Sequence, residues 1–502
     1  MIKIKNTFLV FILIVALFYC RNTKQVEEQK NPEQAFTLDW SALKEHKTPD
    51  WFLDAKFGIY CHWGPYSVPA YKNEWYSHYM YIEGTEERTY HEKTYGDLSE
   101  FGYKDFIPMF TAEKFNADEW AKLFKDAGAK FGGPVSEHAD GFAMWDSDLT
   151  TWDAMDKGPK RDIVGEMAVA LRKQNLKFIA TYHRHWMYAW FPTWDETVDA
   201  SNPQYSGLYG PKVPENTFVM ADIPTKPLPD AAFNKEWLDR LKELVDKYEP
   251  DLVWFDNKMD IIDEQSRKEF LTYYYNAAVA QNREVVATYK FTDFAVGSAV
   301  IDVERARMSE GKEFPWLTDD SIDWKSWSDI KDPDYKSTNR LIDALVDIVS
   351  KNGNLLLNIT PKANGEIPQR VKDRLLEMGD WLKINGEAIY GTRPWKIYGE
   401  GPAKVVEGHL SERFNDPNTE KDIRYTTKGE TLYATVLGWP KDTIILPALA
   451  TNKNLYQKKV KSVQLLGSDV QLDFKMTSEG LLIIPPKEKK GNHAFVFKIE
   501  GE

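Results

Sequence analysis

The heptapeptide "DLVWFDN" (residues 251–257) is an apolar run closed by a carboxylate. Leu252, Val253, Trp254 and Phe255 show no polar face, so they read as a strand buried on both sides, the kind found in a parallel sheet covered by helices. Asp256 then stands where the strand ends, either capping the next turn or exposed to do chemistry. Similar runs recur as "FGIYCHW" (57–63), "GGPVSEH" (132–138), "LKFIATYH" (176–183), "EVVATYK" (284–290), "AVIDVER" (299–305) and "NLLLNIT" (354–360). Between them lie amphipathic patterns: "NADEWAKLFKDAGA" (116–129), "RDIVGEMAVALRKQN" (161–175), "FNKEWLDRLKELVDKY" (233–248) and "STNRLIDALVDIVSKNG" (337–353). A long βα alternation predicts a parallel sheet with helices outside it, most economically a distorted (β/α)8-like barrel, here expected over residues 37–390. After "YGTRPW" the runs become short, alternating and broken by Gly, Pro, Asn and Lys, which predicts an antiparallel β-sandwich over residues 391–502.

A chain of 502 residues exceeds what one core usually supports, which agrees with two domains. There are 64 basic and 77 acidic residues, a formal charge of −13, and no long basic run, so a nucleic-acid partner is excluded. The 18 Trp, 25 Tyr and 26 Phe suit a protein that stacks on sugar rings, although large cores consume aromatic residues too. At the N-terminus, Lys3 and Lys5 precede twelve apolar residues from Phe8 to Tyr19. Since a membrane span needs ~20 residues, this stretch reads as the core of a signal peptide over residues 1–20, followed by a tether over 21–36. Export follows: to the periplasm, to the outer membrane as a lipoprotein, or to the medium. Cys20 stands where a lipoprotein signal places its acylated cysteine, but Phe18 and Tyr19 replace the usual small residues before it, so a lipid anchor there stays open. Of the two cysteines only Cys61 remains in the body of the chain, which leaves no internal disulfide.

The active site of a (β/α) barrel lies at the C-terminal ends of its strands. Five expected strand ends carry His62 and Trp63, with Glu74, Trp75 and Tyr76 just beyond; Glu137, His138 and Asp140; Tyr182, His183, Arg184 and His185; Asp256; and Glu304 with Arg305. Taken singly, an Asp after a strand more often caps a turn, and a His is more often structural than a ligand. His62, His138 and His183 lack the close-spaced partners of a metal motif, so neither metal nor cofactor is expected. A Gly-x-Ser-x-Gly elbow is absent. Two carboxylates among His, Trp and Tyr fit cleavage of a glycosidic bond.

The stretches "AKFGIYCHWGPYSVPAYKNEWYSHYMY" (55–81), "EHADGFAMWDS" (137–147), "GPKRDIVGEM" (158–167), "LVDIVSKNGNLLLNITPKANGEIP" (345–368) and "YATVLGWP" (433–440) resemble the α-L-fucosidases of glycoside hydrolase family 29. The resemblance covers nearly the whole chain after the leader. It implies a barrel followed by a sandwich, and hydrolysis of terminal α-L-fucose with retention. It also implies Asp256 as nucleophile and assigns His62, Glu74, Trp75, Tyr76, His138, Arg305 and Trp316, with Tyr182 or His183, to the sugar. Many members carry a Glu after the Trp matched by Trp316; here that residue is Leu317, so the acid/base is expected at Glu304, with Glu310 and Glu313 as alternatives. Ala139 replaces the second of a usual His pair, its contact either lost or supplied elsewhere, by His183 or His185, and Asn257 replaces a common Gly. The expected partner is a fucosylated oligosaccharide or polysaccharide, with or without sulfate. Two rivals remain: a same-clan enzyme for sulfated fucan or an L-galactose-type glycoside, with Arg184, Arg305 and Arg307 as sulfate contacts, and a glycan-binding protein without activity.

Overall fold

The computed structural model describes residues 36–216, 227–440, 442–489 and 491–502. The expected signal peptide and most of the expected tether, Cys20 included, lie outside the described residues. Phe36, the last residue of that tether, is tied down: its N–H donates to Asn276 Oδ1 at 2.8 Å and its carbonyl accepts from Asn276 Nδ2 at 2.9 Å. Among the described residues no helix is long and apolar enough to cross a membrane.

Eight parallel strands close a barrel in chain order. They are β1 (Phe57–Cys61), β2 (Phe131–Glu137), β3 (Lys177–Tyr182), β4 (Leu252–Phe255), β5 (Val286–Tyr289), β6 (Val300–Asp302), β7 (Trp316–Ser321) and β8 (Gly353–Ile359). Outside them pack α1 (Ala117–Asp126), α2 (Ile163–Lys173), α3 (Ala231–Tyr248), α4 (Glu264–Ala280), α5 (Thr338–Ser350) and α6 (Gln369–Asn385). Side chains start most of these helices: Asn116, Asp162, Asp230, Asp263 and Ser337 each accept a backbone N–H from the first turn. The distortion lies in the crossovers from β5 to β6 and from β6 to β7, which carry no helix among the described residues. Residues 290–299 and 303–315 are short for a helical crossover and contain Gly297, Gly311 and Pro315.

Strand alternation sorts the barrel into two surfaces. Tyr60, Val135, Ile179, Leu252, Trp254, Val286, Val300, Leu317 and Leu356 form an inner cluster, while Cys61, Phe178, Tyr182, Val253, Phe255, Trp316 and Leu355 pack outward against the helices. The Gly132–Gly133 pair in β2 lets neighbouring strands approach: a Cβ at Gly133 would sit 2.0 Å from the Ile179 carbonyl.

From Arg393 the chain forms β9 (Arg393–Glu400), β10 (Ile423–Lys428), β11 (Thr431–Val436), β12 (Ile444–Leu446), β13 (Val460–Leu465), β14 (Phe474–Met476), β15 (Leu481–Ile483) and β16 (Phe495–Gly501). These pair antiparallel into a five-stranded sheet, β13-β16-β11-β10-β9, and a three-stranded one, β12-β15-β14, around a separate core that includes Tyr425, Leu446 and Phe497. The sandwich is joined to the barrel by polar contacts: Arg424 Nε lies 2.5 Å from Asp347 on α5, and Trp381 on α6 donates to the Ala494 carbonyl at 2.8 Å.

Candidate active site

The alternation that buries Leu252 and Trp254 inside the barrel makes Asp256 the next inward residue. The same parity carries Tyr60 on to His62, Ile179 to His183, Val286 to Lys290, Val300 to Glu304, Leu317 to Asp319 and Leu356 to Asn358. In β2 the register shifts between Val135 and Glu137, a bulge that turns His138 inward. Glu137 instead pairs with Arg184 and Arg240, the latter at 3.3 Å. A cavity of about 410 Å³ opens over these ends, and His62, Glu74, Trp75, His138, His183, Trp254, Asp256, Glu304 and Trp327 line it.

Lys290 organises the floor. Its ammonium lies 2.8 Å from Glu304 Oε2, 3.3 Å from Asp256 Oδ1, 3.2 Å from Asp319 Oδ1 and 3.7 Å from Asp302 Oδ2. The Asp256 and Glu304 oxygens are therefore no more than 6.1 Å apart, the sum of their two distances to Lys290. Asn257 bridges the same pair, its amide donating to Asp256 at 3.2 Å and to Glu304 at 3.3 Å, which gives a role to the residue that replaces glycine. Burial alone would push the Lys290 pKa down, but the surrounding carboxylates, Asp319 and Glu304 foremost, hold it well above the ordinary lysine value. Burial, reinforced by Asp302, pushes the Asp319 carboxyl well up, and Tyr60 donates to it at 3.1 Å.

The histidines form the opposite wall. His62 Nδ1 donates to Asn358 Oδ1 at 3.0 Å, the oxygen that also accepts the His62 backbone N–H, so its Nε2 is left as an acceptor. Burial lowers the His62 pKa to about 4 and holds His138 and His183 well below their usual value. Neither His138 Nδ1 nor His183 Nδ1 has a hydrogen-bond partner among the described residues. Buried ring nitrogens of this kind want partners, and sugar hydroxyls supply both donors and acceptors. One nitrogen from each ring comes within 4.8 Å of the others, a spacing that could also hold a metal ion. Glu74, its pKa raised by burial, accepts the Trp327 N–H at 3.0 Å and thereby ties the first βα loop to the seventh.

Of the residues expected from sequence, His62, Glu74, Trp75, His138, His183, Asp256 and Glu304 line the cavity, and four do not. Tyr182 has the outward parity of β3, and its hydroxyl donates to the Trp237 carbonyl on α3 at 3.4 Å. Tyr76 is buried beneath the loops, its hydroxyl 3.1 Å from His91 Nδ1. Trp316 starts β7 at the opposite end of the barrel, facing outward with its Nε1–H on the Lys351 carbonyl at 2.9 Å. Arg305 stands behind the wall: it donates to the carbonyls of Asp323 and Trp324 at 3.0 Å and stacks 4.5 Å from the Trp327 ring. Of the alternative acids, Glu310 and Glu313 line a different depression beside β9. His185 donates to the Asn257 carbonyl at 2.7 Å and does not line the cavity, whereas His183 does. Lys290, Asp319, Trp254 and Trp327 were missed; parity from "ATYK" and "LVWFD" would have pointed Lys290 and Trp254 inward.

A pair of carboxylates in a pocket at the C-terminal mouth of a parallel barrel, walled by histidine and tryptophan, defines a glycoside hydrolase. Comparison with known proteins narrows the class. The α-L-fucosidase family model matches residues 23–387, and the α-L-fucosidase C-terminal domain model matches 415–500. Tissue α-L-fucosidase of Rattus norvegicus is 32% identical over 91% of this chain and 90% of its own, and that of Homo sapiens 31% over 97% of each. The Thermotoga maritima α-fucosidase solved with fucose superposes with a TM-score of 0.74 at 31% identity, covering 92% of this chain and all of that one. The chain belongs to the α-L-fucosidase family.

Proposed function

We propose that the protein releases terminal α-L-fucose from fucosylated oligosaccharides or polysaccharides by double displacement, with retention. One observation carries the reading: Lys290 and Asn257 both bridge Asp256 and Glu304, holding their oxygens within 6.1 Å. Retaining enzymes separate their carboxyl groups by ~5–5.5 Å, whereas inverting ones leave ~6.5–9.5 Å for a water. Asp256, beside the charged Lys290 and less buried than the carboxylates beneath, attacks C1 as the nucleophile. Glu304 gives its proton to the leaving oxygen and then takes one from the incoming water. The imidazoles and Glu74 take the hydroxyls, and Trp75 and Trp254 supply apolar wall.

Sulfated fucan loses its support. Arg184 is paired with Glu137 and Glu236, Arg307 with Glu412, and Arg305 with backbone carbonyls. Among the described residues Lys258 is the only Lys or Arg in the cavity lining; Lys290 lies just beneath it and is committed to four carboxylates. Residues 1–20 support delivery outside the cytoplasm, which N-terminal sequencing of the mature protein checks.

The test is NMR observation of fresh hydrolysate from a fucosylated oligosaccharide. α-Fucose should form first and then mutarotate; β-fucose forming first overturns the mechanism, and no fucose at all overturns the activity. Asp256→Gly should lose turnover of an aryl fucoside and regain it with azide. Glu304→Ala should spare substrates with good leaving groups and cripple natural glycosides.

A further inference from the structure

The cavity has a rim that the fucose site does not use. Phe291, just after Lys290, lines the mouth yet is 52% exposed, which is unusual for a large aromatic side chain. Its partner comes from the far side of the chain: His409, in the segment between β9 and β10, meets the Phe291 ring edge-on with centroids 5.3 Å apart. His409 Nε2 lies 3.8 Å from Glu304 Oε2. The same segment is fastened to the strand end that carries Glu304, because Leu410 N–H donates to the Glu304 carbonyl at 2.9 Å and Glu412 N–H to the Arg305 carbonyl at 2.7 Å. Lys258, Phe291 and Leu410, which all line the cavity, hold left-handed backbone, at φ 66°, 48° and 59°. Three such non-glycine residues around one mouth store strain that the packing must maintain, a pattern typical of functional sites.

We propose that Phe291 and His409 form the acceptor subsite, which binds the neutral pyranose to which the fucosyl unit is attached. The inference rests on the fucosidase reading and deepens it. The leaving oxygen must come within hydrogen-bond reach, ~3 Å, of Glu304. The next sugar ring then emerges beside His409 and against Phe291. The phenyl ring offers a flat apolar face for the C–H side of that sugar, and the imidazole offers a hydrogen bond to a hydroxyl. Binding energy gathered there acts on the departing sugar and so favours oligosaccharides over simple fucosides.

The test compares kcat/KM for an α-L-fucosyl-galactoside with that for α-L-fucosyl fluoride, whose leaving group is too small to reach the rim. In Phe291→Ala and in His409→Ala the ratio of the two should fall about tenfold or more, and Phe291→Tyr should keep it. Phe291 removes no core packing when truncated, so that variant folds. An unchanged ratio in both alanine variants overturns the subsite while leaving the fucosidase reading intact. A wild-type protein that hydrolyses neither substrate overturns the reading itself, and the subsite with it.

Discussion

Lys290 shows how one buried cation can serve chemistry rather than stability. It faces four carboxylates, of which Asp256, Glu304 and Asp319 line the cavity and Asp302 lies beneath it. Its charge lies between Asp256 and Glu304, across a gap that would otherwise set two carboxylates against each other. In Lys290→Met the carboxyls should ionise less readily, so the acid limb of the kcat/KM profile moves to higher pH. Activity at neutral pH should drop on the order of a hundredfold. An acid limb that stays in place would show that the lysine only holds the fold together. The histidine wall makes a second prediction. Neutral His62 keeps an acceptor nitrogen for a sugar hydroxyl until pH falls toward its lowered pKa of about 4. Inhibition by free L-fucose, which does not itself ionise, should therefore show no break near the ordinary histidine pKa of ~6.5. A Ki that rises steeply below that point would mean an ordinary, solvated histidine in the site.

At the scale of elements, β7 is the instructive failure. "WLTDDS" has no apolar period, so nothing in the sequence marks it as a strand, yet every residue in it is buried. Its acids are accommodated by partners far away in the chain: Asp319 by Lys290 and Tyr60, Asp320 by Lys336. Pairing of that kind is invisible until the barrel closes. The other strands were legible because their runs were apolar and ended in chemistry, and Asp256 was legible for the same reason. Tyr182 misled because adjacency to a strand end was read without parity; one residue along a strand separates the pocket from the helix layer. Trp316 came from the resemblance alone, and it stands at the start of β7 rather than at its end. Parity also bears on Leu317, which stands where the fucosidase resemblance leads one to expect a glutamate. It packs in the inner cluster with Tyr60 and Trp254, two residues below Lys290's partner Asp319 on the same face of β7. Leu317→Glu should gain no activity and should lose on the order of 3–5 kcal/mol by burying an unpaired charge, measurable by denaturant unfolding. Improved turnover in that variant would place the proton donor on β7 instead of at Glu304.

For the whole molecule the question is why a hydrolase with its chemistry in the barrel should carry a sandwich at all. The contacts between them include buried ion pairs, beside apolar packing of Tyr433, Leu437, Ala494 and Val496 with the barrel's outer core. Asp347 on α5 meets Arg424 of β10 at 2.5 Å and Lys351 at 2.9 Å, and Glu412 meets Arg307 at 3.0 Å and Arg340 at 2.9 Å. Burial would raise both carboxyl pKa values, but the surrounding cations, Arg424 for Asp347 and Arg307 for Glu412, outweigh it and hold them below the ordinary range. Folded-state values below the unfolded ~3.9 and ~4.3 mean that this stabilisation is complete above those pH values and is lost as pH falls beneath them. The segment carrying Glu412 also holds the backbone of Glu304 and Arg305, so loosening the sandwich reaches the catalytic strand end directly. Arg424→Met leaves Asp347 with one strong partner fewer and should cost on the order of 3 kcal/mol. Its calorimetric trace should separate into two transitions at neutral pH, and the wild type should do the same only on acidification below pH ~4. Fucosidase activity in the variant should disappear with the first transition, before the barrel melts. Activity that survives to the second would mean that residues 409–412 hold their place without the sandwich behind them, and that the domain serves something other than the active site.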